Sequence, residues 1–159
     1  PDLVDGNLLL FGDSASESLK GTIDGFLEST DGYVALQAYL TPGPQVDDML
    51  TLLRACIGKR TTMATTLGYG PRYLHSTGQL HKGDRGNGRF LQLTCDDPGD
   101  LDIPDDAGSP SSSLTFGLLK AAQARGDLQA LAESGRMVLR IHLGSDLVGG
   151  IERIIDALD

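Results

Sequence analysis

Two patterns of apolar residues alternate along this chain. Short, nearly continuous runs at residues 7–12, 33–40, 61–67, 89–95 and 137–143 predict five strands, because a strand covered on both faces is apolar at nearly every position. Stretches with apolar residues three and four apart predict the helices between them. Leu19, Ile23, Phe26 and Leu27 mark the first, with Ser14 or Ser16 as its cap and Thr30, Asp31 and Gly32 as its end. Residues 45–59 form the second, with Val46, Met49, Leu50, Leu52, Leu53, Cys56 and Ile57 on a wide apolar face. Gly58 and the Lys59-Arg60 pair suit its C-terminus. Residues 114–125 form the third, with Leu118, Leu119 and Ala122 sharing a face; Gly126 then closes it and Asp127 caps a short fourth helix over 128–134. Gly144-Ser145-Asp146 starts the last, whose stripe is Leu147, Val148, Ile151, Ile154, Ile155 and Leu158.

The fifth strand breaks the apolar rule. Met137, Leu139, Ile141 and Leu143 alternate with Val138, Arg140 and His142, so one face is partly polar, as in a strand near the sheet edge or lining a cleft. Arg140 and His142 read first as a solvated or hydrogen-bonded strand face. Strands alternating with helices imply right-handed crossovers and a mostly parallel sheet. The fold expected is a three-layer α/β/α domain with a mostly parallel five-stranded sheet, one domain over residues 1–159. The connection 96–113 is acidic and rich in Pro, Gly and Ser; at 18 residues it exceeds a usual loop and reads as a functional or mobile flap.

Composition narrows the partners. The formal charge of -9 repels phosphate backbones and anionic membranes at long range, so neither nucleic acid nor a membrane is expected as a partner. No apolar run approaches the ~20 residues of a membrane-spanning helix, and no signal peptide is visible. Cys56 and Cys95 lack the spacing of a disulfide or zinc framework and read as small buried hydrophobes in a reducing compartment. A cytoplasmic location is expected. The chain opens at Pro1 rather than Met, which points to a processed product or a piece of a longer protein.

Candidate chemistry is concentrated in residues 67–88, between the third and fourth strands, where glycines, two of the three histidines, hydroxyls, an amide and cations crowd together. Ligands of open parallel sheets bind at the carboxyl ends of strands near a switch in strand order. Pro71 suits the first position of a short helix ending at Gly78, which would aim free amides of Gly68 and Gly70 at an anion. Arg72, Lys82 and Arg85 add charge, and Ser76, Thr77 and Gln79 add neutral hydrogen bonds. Known signatures fail here. Gly68-x-Gly70 lacks the third glycine of the dinucleotide fingerprint, where Tyr73 stands, and Gly78-x-x-x-x-Gly83 continues with Asp84-Arg85 instead of Lys-Ser/Thr. His75 and His81 are six apart with no third ligand. No cofactor and no metal is expected.

The runs L-G-Y-G-P-R-Y-L-H-S-T-G-Q-L-H-K-G at 67–83, F-L-Q-L-T-C-D at 90–96, T-F-G-L-L-K-A-A-Q-A-R-G-D-L-Q-A-L at 115–131 and G-R-M-V-L-R-I-H-L-G at 135–144 resemble the C-terminal region of bifunctional transaldolase/glucose-6-phosphate isomerases. The likeness is strongest from Thr65 onward. It implies a parent protein of sugar-phosphate metabolism, an aldose-ketose isomerase fused to a transaldolase, acting in glycolysis and the pentose phosphate pathway. Within it this chain would be a C-terminal accessory domain. The lysine and base that do the parent's chemistry belong to other domains, and no segment here matches either motif. One departure stands out: where the family continues Lys-Gly-Gly-Pro-Asn-x-Gly, this chain has Asp84-Arg85 after Gly83, a carboxylate beside the expected anion site. The expected role is to bind a sugar phosphate or complete an interdomain site, with Arg72, Ser76, Thr77 and Lys82 on the phosphate and His75 and Gln79 on sugar hydroxyls. His75 is also the candidate acid/base. The alternative is a structural or oligomerisation module with no ligand of its own.

Overall fold

The computed structural model describes residues 1–12, 16–28 and 31–159; the capping candidate Ser14 and the helix-ending Thr30 lie outside them. Six strands form one sheet: β1 (Leu3–Asp5), β2 (Leu8–Phe11), β3 (Tyr33–Tyr39), β4 (Ala64–Tyr69), β5 (Gly88–Thr94) and β8 (Met137–His142), in the order β1-β2-β8-β5-β3-β4. β8, β5, β3 and β4 run parallel, and β2 joins β8 antiparallel. A separate small two-stranded sheet pairs β6 (Asp102–Ile103), within the long acidic connection, with β7 (Leu114–Thr115), just after it, where the sequence predicts the start of the third helix.

The helices are α1 (Leu19–Leu27), α2 (Pro44–Thr61), α3 (Thr77–Gly83), α4 (Phe116–Glu133) and α5 (Leu147–Asp156), with one 3-10 turn at Arg72–His75. The three layers follow from strand alternation. Val34, Leu36 and Ala38 of β3, Leu91 and Leu93 of β5, and Leu139 and Ile141 of β8 point to one side, where α1, α2 and α5 cover them. This is the main core. Full burial of a Leu or Ile in it contributes roughly 1.5–3 kcal/mol. The other side is smaller and mixed. Ala35, Phe90 and Val138 meet Leu131 of α4, and Tyr39 meets Tyr73 and Ala124, but Gln37, Gln92, His81 and Asp127 are buried there too. Polar groups buried under α3 and α4 mark this side as the one where specific contacts are made.

Several elements differ from the sequence expectation. A sixth strand, β1, pairs with β2 across Gly6 and Asn7, with Gly6 at φ +60. Three residues are too few to register as a run, and the antiparallel β2 is buried only at Leu8 and Leu10. Ser18, not Ser16, caps α1, its side chain accepting from the Gly21 N–H. α2 continues through Gly58 and stops at Thr62, which takes the left-handed conformation at φ 59. α4 is one continuous helix through Gly126 and Asp127. Asp127 does not cap because its carboxylate is engaged by Tyr73 and Lys82 instead of by its own helix's amides. The α4 residues turned inward are Ala124, Asp127 and Leu131, whereas Leu118 and Leu119 are exposed. α5 begins as expected, with Asp146 accepting from the Gly149 N–H.

Candidate functional site

The 70–83 segment is built differently from the anion cradle that its sequence predicts. Pro71 precedes a 3-10 turn, not an α-helix, and Gly78 sits inside α3, buried against Tyr73 and Leu74, instead of ending a helix. The amides are spent internally. The Gly70 N–H donates to the Ala38 carbonyl at 2.9 Å, continuing the β3–β4 ladder, and the Leu74, Ser76 and Gln79 N–H groups donate to Pro71, Tyr73 and Ser76. Gly68 and Gly70 serve packing: a Cβ on Gly68 would lie 3.1 Å from Tyr73, and one on Gly70 would lie 2.5 Å from the Tyr39 ring.

What fixes the segment is its buried side. The Tyr73 hydroxyl donates to Asp127 at 2.7 Å and lies 3.1 Å from the Tyr39 hydroxyl, and the two rings meet edge to face. Burial pushes the Tyr39 phenol up to about 12 and the Tyr73 phenol higher still, so both hydroxyls stay neutral. Lys82 is not free to hold a phosphate. Its Nζ lies 2.8 Å from the Asp127 carboxylate, which is almost wholly enclosed. Asp84, the departure from the family pattern, is a second anchor rather than an intruder at an anion site. It accepts from the Tyr33 hydroxyl and the Gly86 N–H and pairs with Arg136 at 2.9 Å. Burial works to raise its carboxyl, but those hydrogen bonds and the guanidinium outweigh it and hold it below the usual range.

The outward side carries Arg72, His75, Ser76 and Gln79, all exposed, with Thr77 half-buried beside them. Of the eight residues expected to form one site, these five are therefore accessible in the segment that follows the carboxyl end of β4. Gly68, Gly70 and Lys82 belong to the scaffold. His81, which the sequence places in the same polar cluster as His75, is the enclosed histidine. Its ring sits among Tyr33, Tyr73 and Phe90, with Gln37 Nε2 3.4 Å from Nδ1, and burial lowers its pKa.

The switch in strand order lies elsewhere. The crossover after β3 leads to β4 on one side, and the one after β5 leads to β8 on the other, so the switch falls between β3 and β5. β4 is an edge strand. Next to the switch, over β5, β8 and β2 and under α4, is a cavity of about 300 Å³. Tyr39, Thr94 and His142 reach it from the carboxyl ends of their strands, Phe11 and Arg140 form its floor, and Lys120 stands at its α4 wall. His142 is pinned, with Nδ1 3.1 Å from the Thr94 hydroxyl and Nε2 3.2 Å from Asp96. Lys120 pairs with Asp97. Cys95, also on the wall, is a free thiol that burial pushes up, so it is not an activated nucleophile. The polar face of β8 was the one signal of this cavity in the sequence. Among the described residues no cluster of His, Cys, Asp and Glu could hold a metal ion, and no helix is long and apolar enough to cross a membrane.

No family model matches the chain, and no curated protein matches it. Among solved structures the fold is similar to hypothetical protein TT0462 from Thermus thermophilus, with a TM-score of 0.71 at 15% identity, over 89% of this chain and 39% of that one. At that identity the likeness shows the fold alone, a mixed α/β sheet flanked by helices. The chain spans about two fifths of that neighbour's length.

Proposed function

We propose that this chain is an accessory domain of a longer transaldolase/glucose-6-phosphate isomerase-like protein, and that its 72–79 surface completes a sugar-phosphate site formed with another domain of the same polypeptide. The sequence likeness supports the family. The observation supporting the role is the two-sidedness of the loop: Tyr73, Gly78 and His81 hold it to the sheet while Arg72, His75, Ser76 and Gln79 face outward. A cradle complete in itself needs several free amides and more than one free cation. Here the Gly70 amide is bonded, Lys82 is paired with Asp127 and Arg85 with Asp31, so of the three expected cations Arg72 alone has no ion-pair partner among the described residues, and the rest of the ligand's partners come from outside the chain. Arg72 meets the phosphate with Ser76 and Thr77 beside it, and His75 and Gln79 meet sugar hydroxyls. His75 acts here as a hydrogen-bonding group. An acid/base role needs a positioned partner, and no side chain pairs with it among the described residues.

The test is a titration of the chain with glucose 6-phosphate and with fructose 6-phosphate, followed by amide shifts. Weak binding confined to residues 72–79 and lost in Arg72→Ala is expected. In the longer protein, Arg72→Ala is expected to raise KM for the sugar phosphate more than it lowers kcat. A loop silent in both settings would falsify the reading. A purely structural module is the second reading, favoured by the exposed Leu101 and Phe116, which are joined by a backbone bond at the mouth of the acidic connection. It predicts that Phe116→Ser disturbs assembly of the longer protein while sugar phosphates leave the chain unmoved.

A further inference from the structure

Arg140 is an exception among the partly buried arginines of this fold. Arg89 donates to the Phe26 and Glu28 carbonyls, Arg136 to Asp84 and the carbonyls around it, and Arg153 to Asp5 and Asn7. Arg140 has no acceptor among the described residues, and its Nε is sealed from solvent without a partner. Its guanidinium lies over Phe11, 3.9 Å from the ring centre, and opens into the cavity beneath α4. Burial and the nearby Arg125 both disfavour its charge, and no carboxylate offsets them. A guanidinium nevertheless stays protonated in proteins. A partly desolvated cation without an anion is costly to hold. The fold holds it on β8, one strand from the switch, on the floor of a cavity that residues at the carboxyl ends of β3, β5 and β8 reach, the end of such sheets where ligands sit.

The remaining walls define what the anion is attached to. Leu9, Phe11, Tyr39, Ala121 and Ala124 are apolar or aromatic, the one carboxylate among the lining, Asp97, is neutralised by Lys120, and the volume of about 300 Å³ is at the lower end of the range for small-molecule sites. The other cation, Lys120, is already paired with Asp97, and His142 is held by Thr94 and Asp96. That leaves one fork-shaped donor for one planar acceptor, which suits a carboxylate in bidentate contact better than a phosphate dianion seeking several cations. A flat body would extend the Phe11–Arg140 stack. The geometry points to a binding site for a small monocarboxylate on an aromatic or flat apolar body, its carboxylate on Arg140 and its body between β2 and α4. This site is separate from the 72–79 surface and does not depend on the sugar-phosphate reading.

The test uses the 159-residue chain with benzoate as the probe, followed by amide shifts. The neutral isostere benzyl alcohol and inorganic phosphate serve as comparisons at equal concentration. Benzoate is expected to move signals of residues 9–11, 94–97, 120–124 and 140–142, and the comparisons are expected to leave them in place. Arg140→Gln should weaken benzoate binding by about tenfold or more, the loss of one charge-assisted pair. Ala121→Leu, at the α4 wall, should block binding while Arg140 and the fold stay intact, as judged by unchanged shifts in β3 and β5. The site is overturned if benzoate moves none of these signals, if benzyl alcohol or phosphate binds as well, or if Arg140→Gln binds benzoate like the parent. Shifts at 72–79 with fructose 6-phosphate bear on the other surface alone.

Discussion

The identity of Lys82 as strut or ligand can be decided by removing its partner. In Asp127→Ala the Tyr73 hydroxyl and the Lys82 ammonium lose their shared acceptor under α4. Breaking a buried pair from one side costs about 3–5 kcal/mol, because the other charge is left uncompensated. Two features lower that figure here. The Lys82 side chain is 32% exposed, so water and salt reach its charge, and Tyr73 keeps the Tyr39 hydroxyl at 3.1 Å. A loss of about 2–3 kcal/mol is expected, which for a chain of this size lowers the melting temperature by roughly 4–12 °C. Lys82→Met should cost a similar amount, since it strands the carboxylate. In the double variant Asp127→Leu with Lys82→Met, an apolar pair replaces the ionic one, and the losses should not add. Urea denaturation of the parent, Asp127→Leu, Lys82→Met and their double variant gives the coupling directly. If either single change costs less than about 0.5 kcal/mol, the pair is not a strut, and Lys82 returns as a candidate phosphate ligand.

Acid stability should report on His81. Burial keeps its folded pKa below 6.5, so the unfolded chain takes up the proton first. The associated stability is complete above about pH 6.5 and is lost as pH falls through the folded value. The charges facing it, Asp127 and Asp84 against Lys82, moderate this without reversing it. His81→Gln should flatten the fall in urea midpoint between about pH 7 and pH 5; an unchanged slope would show that another group is responsible. Gly70→Ala drives a methyl to 2.5 Å from the buried Tyr39 ring and should cost about 1–3 kcal/mol, read as a lower denaturation midpoint. A neutral result there would mean the loop is not pinned by that contact. Arg136→Lys keeps a charge for Asp84 but loses the fork that also serves the His81 and Lys82 carbonyls, and a loss of about 2 kcal/mol is expected. Stability equal to the parent's would refute the claim that Arg136 ties β8 to the end of α3.

The layers of this protein were written in its local patterns. Val34, Leu36 and Ala38, or Leu139 and Ile141, are apolar because each strand must bury that face, and such periodicity is a property of consecutive residues. The strand order was not so written, because it depends on which crossover passes over which strand. A loop can be recognised as rich in chemistry without its sequence revealing that it leaves an edge strand. The role of Asp127 shows the same limit. Gly126-Asp127 carries the local signature of a helix break, yet Tyr73 and Lys82, more than forty residues away, claim the carboxylate and the helix runs on. Arg140 is the mirror case, a cation whose local pattern reads as an ordinary strand face. Only the folded chain shows that, among the described residues, no carboxylate pairs with it and that Asp97, in the same cavity, is paired with Lys120. Pairing over long sequence distances is settled by three-dimensional proximity and competition between partners, and these exist only once the chain has closed on itself.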